Sequence, residues 1–311
     1  MNSKALLILA IVAVGCHSEA ESSEFQGAER DQQIDEIIEN LKLADFPDEE
    51  IEVLEDGTVV VGGDAIVTLQ AFREMAGIRR FSAEGEDGHE DAFRQYRTTN
   101  LVGDAVSTIC ITDAFTGNLS TALDNAVANY NDETLSLTIT RGGTDCDATI
   151  QANLINGDGG LAGFPSNGLP FGTINIGSDL GAGSIDIATH VTTHEIGHCI
   201  GFRHTDYFNR IISCGVEPGI NPNEGQSFEG AVHIPGTPQG AAFNGSVMNA
   251  CYNNTSTGDW TPGDVIALNA LYGAGGPSCA GICGQNQGTC WCDAGCANFG
   301  DCCADKVAEC G

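Results

Sequence analysis

The chain has 311 residues, with 43 Asp and Glu against 12 Lys and Arg and a formal net charge of −31. Such a surface repels nucleic acid and anionic membranes, which argues against a nucleic-acid role and suits solubility outside the cell. Two or three folded units fit the length. Low aromatic content (6%) with 41 Gly favours turn-rich and strand-rich structure.

In chain order, residues 1–15 read as an export signal. Lys4 precedes the apolar run Ala5 to Val14, which is too short to span a bilayer. Ala13-Val14-Gly15-Cys16 resembles the cleavage box of exported lipoproteins, with Cys16 as the lipidated residue. Ala13 stands where Leu is usual, so ordinary cleavage stays open; the expected location is cell-envelope lipoprotein or secreted. Residues 16–32 are polar and acidic and are expected to form a disordered tether.

Residues 33–78 read as a small prosegment-like unit, with a permanent accessory subdomain as the alternative. Ile34, Ile37, Ile38 and Leu41 have helical spacing. Ile51 to Leu54 and Thr58 to Val61 flank Asp56-Gly57, which predicts a two-residue hairpin turn. Thr68 can cap a short helix carrying Leu69, Phe72 and Met75. Residues 79–94 read as an exposed linker.

Residues 95–274 form the main domain. Strands are predicted over Val106 to Thr112, Thr134 to Thr140, Ala148 to Leu154 and Thr173 to Ile176, with a helix over Leu119 to Tyr130. Ile185 to Phe202 reads as a long helix. Thr261-Pro262, with Asp264 at the third helical position, opens a last one. The pattern describes an α+β protein.

The chemistry is carried by Thr193-His194-Glu195-Ile196-Gly197-His198-Cys199-Ile200-Gly201-Phe202-Arg203-His204. His194 and His198, four apart on a helix, stack on one face and can share a metal. Gly201 accepts backbone angles that stop the helix, and the turn returns His204 to the same metal. Three imidazoles and an open fourth position suit one catalytic Zn²⁺, with Glu195 as general base. His190 lies one turn earlier and reads as a packed histidine. Asp158 and Asp179 are oxygen donors of the kind Ca²⁺ takes, without an EF-hand pattern.

These residues resemble the metzincin clan of zinc peptidases, whose Met-turn beneath the metal is matched by Gly245-Ser246-Val247-Met248-Asn249. Tyr96-Arg97-Thr98-Thr99-Asn100, the histidine motif, His233-Ile234-Pro235-Gly236-Thr237-Pro238 and Val247-Met248-Asn249-Ala250-Cys251 together resemble the dual-action HEIGH metallopeptidases over about 95–273. The resemblance implies a metzincin-like zinc protease domain: a twisted mixed sheet, an active-site helix, a C-terminal helix and a cleft. It implies endopeptidase activity on peptide or protein substrates. Some metzincins carry a Tyr two residues after the Met; here that position is Ala250, and Tyr252 is given no role. Metzincins also place an edge strand before the helix, which assigns substrate pairing to Leu161, Ala162, Gly163 and Phe164.

An exported chain meets an oxidising compartment, so most of its 14 cysteines should pair. Residues 275–311 hold Cys279, Cys283, Cys290, Cys292, Cys296, Cys302, Cys303 and Cys310, a disulfide-rich C-terminal module too short to fold on a core alone. Spacing does not choose a pairing. The module resembles a somatomedin B domain, which implies Cys279–Cys292, Cys283–Cys310, Cys290–Cys303 and Cys296–Cys302, and a protein partner. Of the remaining cysteines, Cys214 is paired here with Cys251 and Cys110 with Cys146, which leaves Cys199 over if Cys16 is acylated. The competing function is a non-catalytic surface adhesion or scaffold lipoprotein with structural zinc. Such a site has no need of Glu195.

Overall fold

The structure, a computed structural model, describes residues 18–43, 46–74, 95–215, 223–224, 231–234, 236–237, 241–274 and 284. The export signal, Cys16, the 79–94 linker and the eight C-terminal cysteines with their pairings lie outside the described residues.

Helix α1 spans Ser18–Leu43. Residues 18–32, expected to be a disordered tether, are part of it. Low hydrophobicity argues against a core but not against a helix, because Glu, Ala, Gln and Arg are strong helix formers. Ile37 and Leu41 bury one side of its later turns.

Strands β1 (Ile51–Val53) and β2 (Val59–Val61) pair antiparallel, as predicted. Their turn is longer than the expected two residues: Leu54 N–H donates to Thr58 O, and only Gly57 takes a positive φ of 81°. That is the three-residue hairpin with a left-handed last position. After Gly62-Gly63-Asp64, β3 (Ala65–Val67) returns along β2, and Thr68 Oγ1 caps the following helical turn by accepting from Ala71 N–H.

In the main domain, β4 (Tyr96–Arg97) and β5 (Thr108–Thr112) precede helix α2 (Gly117–Asp132). Strands β6 (Thr138–Arg141), β7 (Ala148–Ile155), β8 (Gly160–Gly163) and β9 (Thr173–Gly177) lead to helix α3 (Ile185–Cys199). Strands β10 (Phe202–Arg203) and β11 (Val232–His233) and helix α4 (Pro262–Tyr272) complete it.

The main sheet is eight-stranded and mixed, in the order β1-β2-β3-β8-β9-β7-β5-β6. The 33–78 unit is therefore not a separate body. Its β3 joins the sheet by parallel pairing, Ala65 opposite Ala162 and Ile66 opposite Gly163. Helices α2 and α3 pack on each other and on the sheet. Leu123, Ala126, Ile109, Ile150, Ile174 and Ile196 lie in one continuous core. Val59, Val61, Val67 and Phe72 form a second, smaller core with Ile37 and Leu41, into which Phe164 of the main domain inserts.

Disulfides join Cys110 to Cys146 and Cys214 to Cys251. Cys199 is buried and unpaired, its thiol directed at Thr173 O. None of the helices is long and apolar enough to cross a membrane among the described residues.

Candidate active site

Helix α3 starts cleanly because Ser184 Oγ accepts from Asp186 N–H. It ends at Cys199, three residues before the predicted stop. Gly201 takes φ 108°, and a Cβ there would lie 2.9 Å from Asn100 O. The turn is clamped from outside: Thr98 N–H donates to Gly201 O at 2.8 Å, and β10 pairs with β4, Arg203 opposite Tyr96. The Tyr96 to Asn100 segment thus fixes the exit of the helix and carries His204 back towards it.

His194, His198 and His204 converge. Their Nε2 atoms lie 3.1 Å (His194 to His204) and 3.3 Å (His198 to His204) apart. Each Nδ1 faces an acceptor: Val247 O at 2.8 Å, Phe202 O at 2.8 Å and Glu224 Oε1 at 2.6 Å. An Nδ1–H donated outward leaves Nε2 a bare lone pair. Three lone pairs pointed at one another repel unless a cation sits between them, so the donor set fits a bound metal, its outer partners fixing each ring.

A fourth group joins them. Asp64, from the turn between β2 and β3, places Oδ2 2.9 Å from His204 Nε2 and 3.4 Å from His194 Nε2, and Oδ1 3.8 Å from His198 Nε2. Asp64, His194, His198 and His204 are the only cluster of three or more such groups among the described residues; Asp158 and Asp179 are not in one.

Glu195 is buried, and its Oε2 has no hydrogen-bond partner. Burial pushes its carboxyl well above the usual range, and the charge of Asp64 adds to this. Burial draws His198 well below the usual imidazole range, reinforced by His194. Burial works the same way on His204, but the carboxylates of Asp64 and Glu224 outweigh it and hold His204 well above. Glu195 fits only because residue 160 is glycine; a Cβ there would meet its Oε1 at 2.3 Å.

Met248 is 1% exposed, its sulfur close against Gly197 between the two helical histidines. Its carbonyl accepts from Thr205 N–H at 2.8 Å, and the neighbouring Val247 carbonyl holds His194. His190 is packed as expected. Its ring stacks on His194, and burial, then the charge of His194, draws its pKa down to about 3. Tyr252 O–H donates to Asp158 O at 2.7 Å. His233 meets Thr237 and the Tyr96 ring and is not in the cluster.

The expected open substrate edge differs. Strand β8 covers Leu161 to Gly163, but β3 occupies its outer side. Phe164 is buried, its ring edge-on to His198 and under the Arg203 guanidinium, where it buttresses the site. The expectation took residues 33–78 as a separate unit, and register across a sheet cannot be read from spacing.

Sequence reasoning missed Asp64, Glu224 and Arg210. Arg210 binds the Glu50 carboxylate, donates to Gly62 O at 3.0 Å and lies 3.5 Å from Glu224 Oε1. The single local signal was the Gly-Gly-Asp turn closing a run of valines. A cavity of about 230 Å³ borders the cluster, lined by Gly63, Gly160, His190, Glu195, Asn249 and Tyr252 among others.

A mixed sheet-and-helix domain that converges three imidazoles and a carboxylate defines a site able to hold a metal ion. The sequence model of the dual-action HEIGH metallo-peptidases matches residues 59–272, and the chain belongs to that family: it is a metallopeptidase. The match begins at β2, earlier than the expected 95, and so includes Asp64. No curated protein matches the sequence. Among solved structures, myroilysin is similar at 14% identity and a TM-score of 0.37, covering 55% of this chain and 97% of its own. A hatching-enzyme zinc-protease of the medaka fish Oryzias latipes is similar at 13% identity and a TM-score of 0.34, covering 60% and 96%.

Proposed function

We propose that the chain is an exported zinc endopeptidase in which His194, His198 and His204 hold the metal and Glu195 is the general base. The observation that carries this is the pairing of three outward-anchored imidazoles with a buried, partnerless Glu195 oxygen beside them. When bound, zinc supplies Lewis acidity to a water and to the scissile carbonyl. Glu195 takes the water proton on its carboxylate and returns it to the leaving amine nitrogen. Val247 O, Phe202 O and Glu224 keep the rings turned with Nε2 inward, and Met248 floors the site. Substrates are peptides or proteins. The two disulfides suit an oxidising compartment. In this reading Cys16 is an anchor and residues 275–311 a docking module.

The test is a casein or peptide-library digest by wild type and Glu195→Gln, with and without chelator. The variant should keep its zinc and lose about 100- to 10,000-fold in rate, because an amide cannot act as base. Zinc should restore the chelated wild type. A variant near the wild-type rate would place the base elsewhere; the structural-zinc scaffold predicts no hydrolysis by either.

A further inference from the structure

We propose that Glu224 is a positioning residue whose negative charge, beyond its hydrogen bond, makes His204 the ligand that retains the metal. The inference rests on the metal site proposed above.

The three histidines are anchored unequally. His194 and His198 turn Nδ1 to the carbonyls of Val247 and Phe202, each at 2.8 Å. His204 turns Nδ1 to a carboxylate, Glu224 Oε1, at 2.6 Å. A carbonyl offers a dipole and a carboxylate a full charge, so the bond to Glu224 is the charge-assisted one and the stronger. An anionic acceptor pulls on the Nδ1 proton and sends electron density across the ring to Nε2, the atom that faces the other histidines. His204 is thereby the most basic donor of the three. Water does little to weaken the effect, because Glu224 and His204 are each 1% exposed.

A buried carboxylate also has a plain structural use, as one member of an ion-pair cluster. Arg203 Nη2 lies 3.4 Å from Glu224 Oε2, and Arg210 Nε lies 3.5 Å from Oε1. Distance decides which partner comes first. Charge-assisted hydrogen bonds run to about 2.7–2.9 Å, so both guanidinium contacts are long, whereas the His204 contact is short. Each guanidinium is also shared. Arg210 binds the Glu50 carboxylate and donates to Gly62 O, and Arg203 lies over the rings of Phe46, Phe164 and Tyr207. The two arginines offset the cost of burying Glu224 and leave its closest bond to the histidine.

The surrounding chain is shaped for that approach. Glu224 N–H donates to Tyr207 O at 2.8 Å, which ties it to the loop that follows His204. A Cβ on Gly62 would stand 3.1 Å from Glu224 Cδ, so glycine leaves the carboxylate its room.

The experiment uses the full chain and measures zinc affinity by competition with a chromogenic chelator, for wild type, Glu224→Gln, His198→Ala and His204→Ala. Gln keeps an oxygen that can accept from His204 Nδ1–H and removes only the charge. A residue that merely fills space or accepts a bond is served equally well by Gln. Glu224→Gln should bind zinc about ten- to a hundredfold more weakly. The visible band of the cobalt-loaded chain, which reports ligand strength, should shift in the same variant. An affinity or a band equal to that of wild type overturns the proposal. Because Glu224→Gln can misfold, the histidine variants supply a second reading with Glu224 intact. His204→Ala should lose more zinc affinity than His198→Ala, whose ring is anchored by a carbonyl; an equal or smaller loss overturns the proposal. The same variants separate the two claims. If neither histidine variant loses zinc, the metal site itself falls. If both lose it while Glu224→Gln holds zinc as wild type does, the site stands and the role of Glu224 falls.

Discussion

Gly197 shows how a single atom shapes this site. It lies between the two helical histidines, and a Cβ there would stand 2.6 Å from Met248 Sδ and 3.4 Å from Tyr130 Oη. Ala is favoured over Gly in a helix by about 1 kcal/mol. Overpacking a tight core costs about 1–3 kcal/mol, and with Met248 fully enclosed the clash should win. Gly197→Ala is expected to lower stability by about 1–2 kcal/mol in urea melts. Adding Met248→Ala should then cost less than it does alone. Strict additivity would mean that the backbone, not this contact, requires glycine. The sequence shows Gly197 only as part of a motif; its reason, the methionine 51 residues on, comes from packing.

The C-terminal helix repeats the lesson at the scale of an element. Thr261, Pro262 and Asp264 spell its start, and the capping box forms as read, with Thr261 N–H donating to Asp264 Oδ2 at 3.0 Å. Asp264 does more than cap. It also accepts from Val247 N–H at 3.0 Å, from Ser246 Oγ and from Gln95 Nε2, so it ties the Met-turn and the start of β4 to α4. Losing a cap costs about 1 kcal/mol. Stranding buried donors costs about 1–3 kcal/mol. Asp264→Ala should therefore destabilise the protein clearly more than Thr261→Ala; equal losses by denaturation would reduce Asp264 to a cap. Strands β5, β7 and β9 and helix α2 were legible because each is long enough to show its period. Strands β4 and β10 were not, since two residues carry no alternation and exist only because they pair.

For the whole molecule, acidity sets how stability responds to pH. The Arg141 guanidinium, at 2.7 Å, holds the Asp113 carboxyl below its usual range and outweighs the effect of burial. A depressed carboxylate binds fewer protons folded than unfolded. It adds stability above the ordinary Asp range near 3.9 that is lost as pH falls through the folded value. Arg141 is partly exposed, so the pair should contribute about 1 kcal/mol after screening. Wild type should exceed Arg141→Gln by that margin at neutral pH, and the gap should close below about pH 4. Relief of repulsion among the other carboxylates runs the opposite way, but it is common to both chains and cancels in the difference. A gap independent of pH would assign the loss to the Ser120 and backbone contacts of Arg141.

The sequence by itself determined the cluster of three histidines, because that is written at the range of a helical turn. A four-residue spacing stacks His194 on His198, and a glycine three residues later lets His204 return. It also determined the final helix and the strands with a full period. Only the tertiary structure decided that a carboxylate faces the three histidines. Asp64 reaches His204 across 140 residues, through the register of β3 on β8. From two further loops, Glu224 meets the other side of His204 and Arg210 holds Gly62 O. No local period encodes such a meeting. It follows from how one sheet closes over another segment's edge, and buried charge then selects what that edge brings.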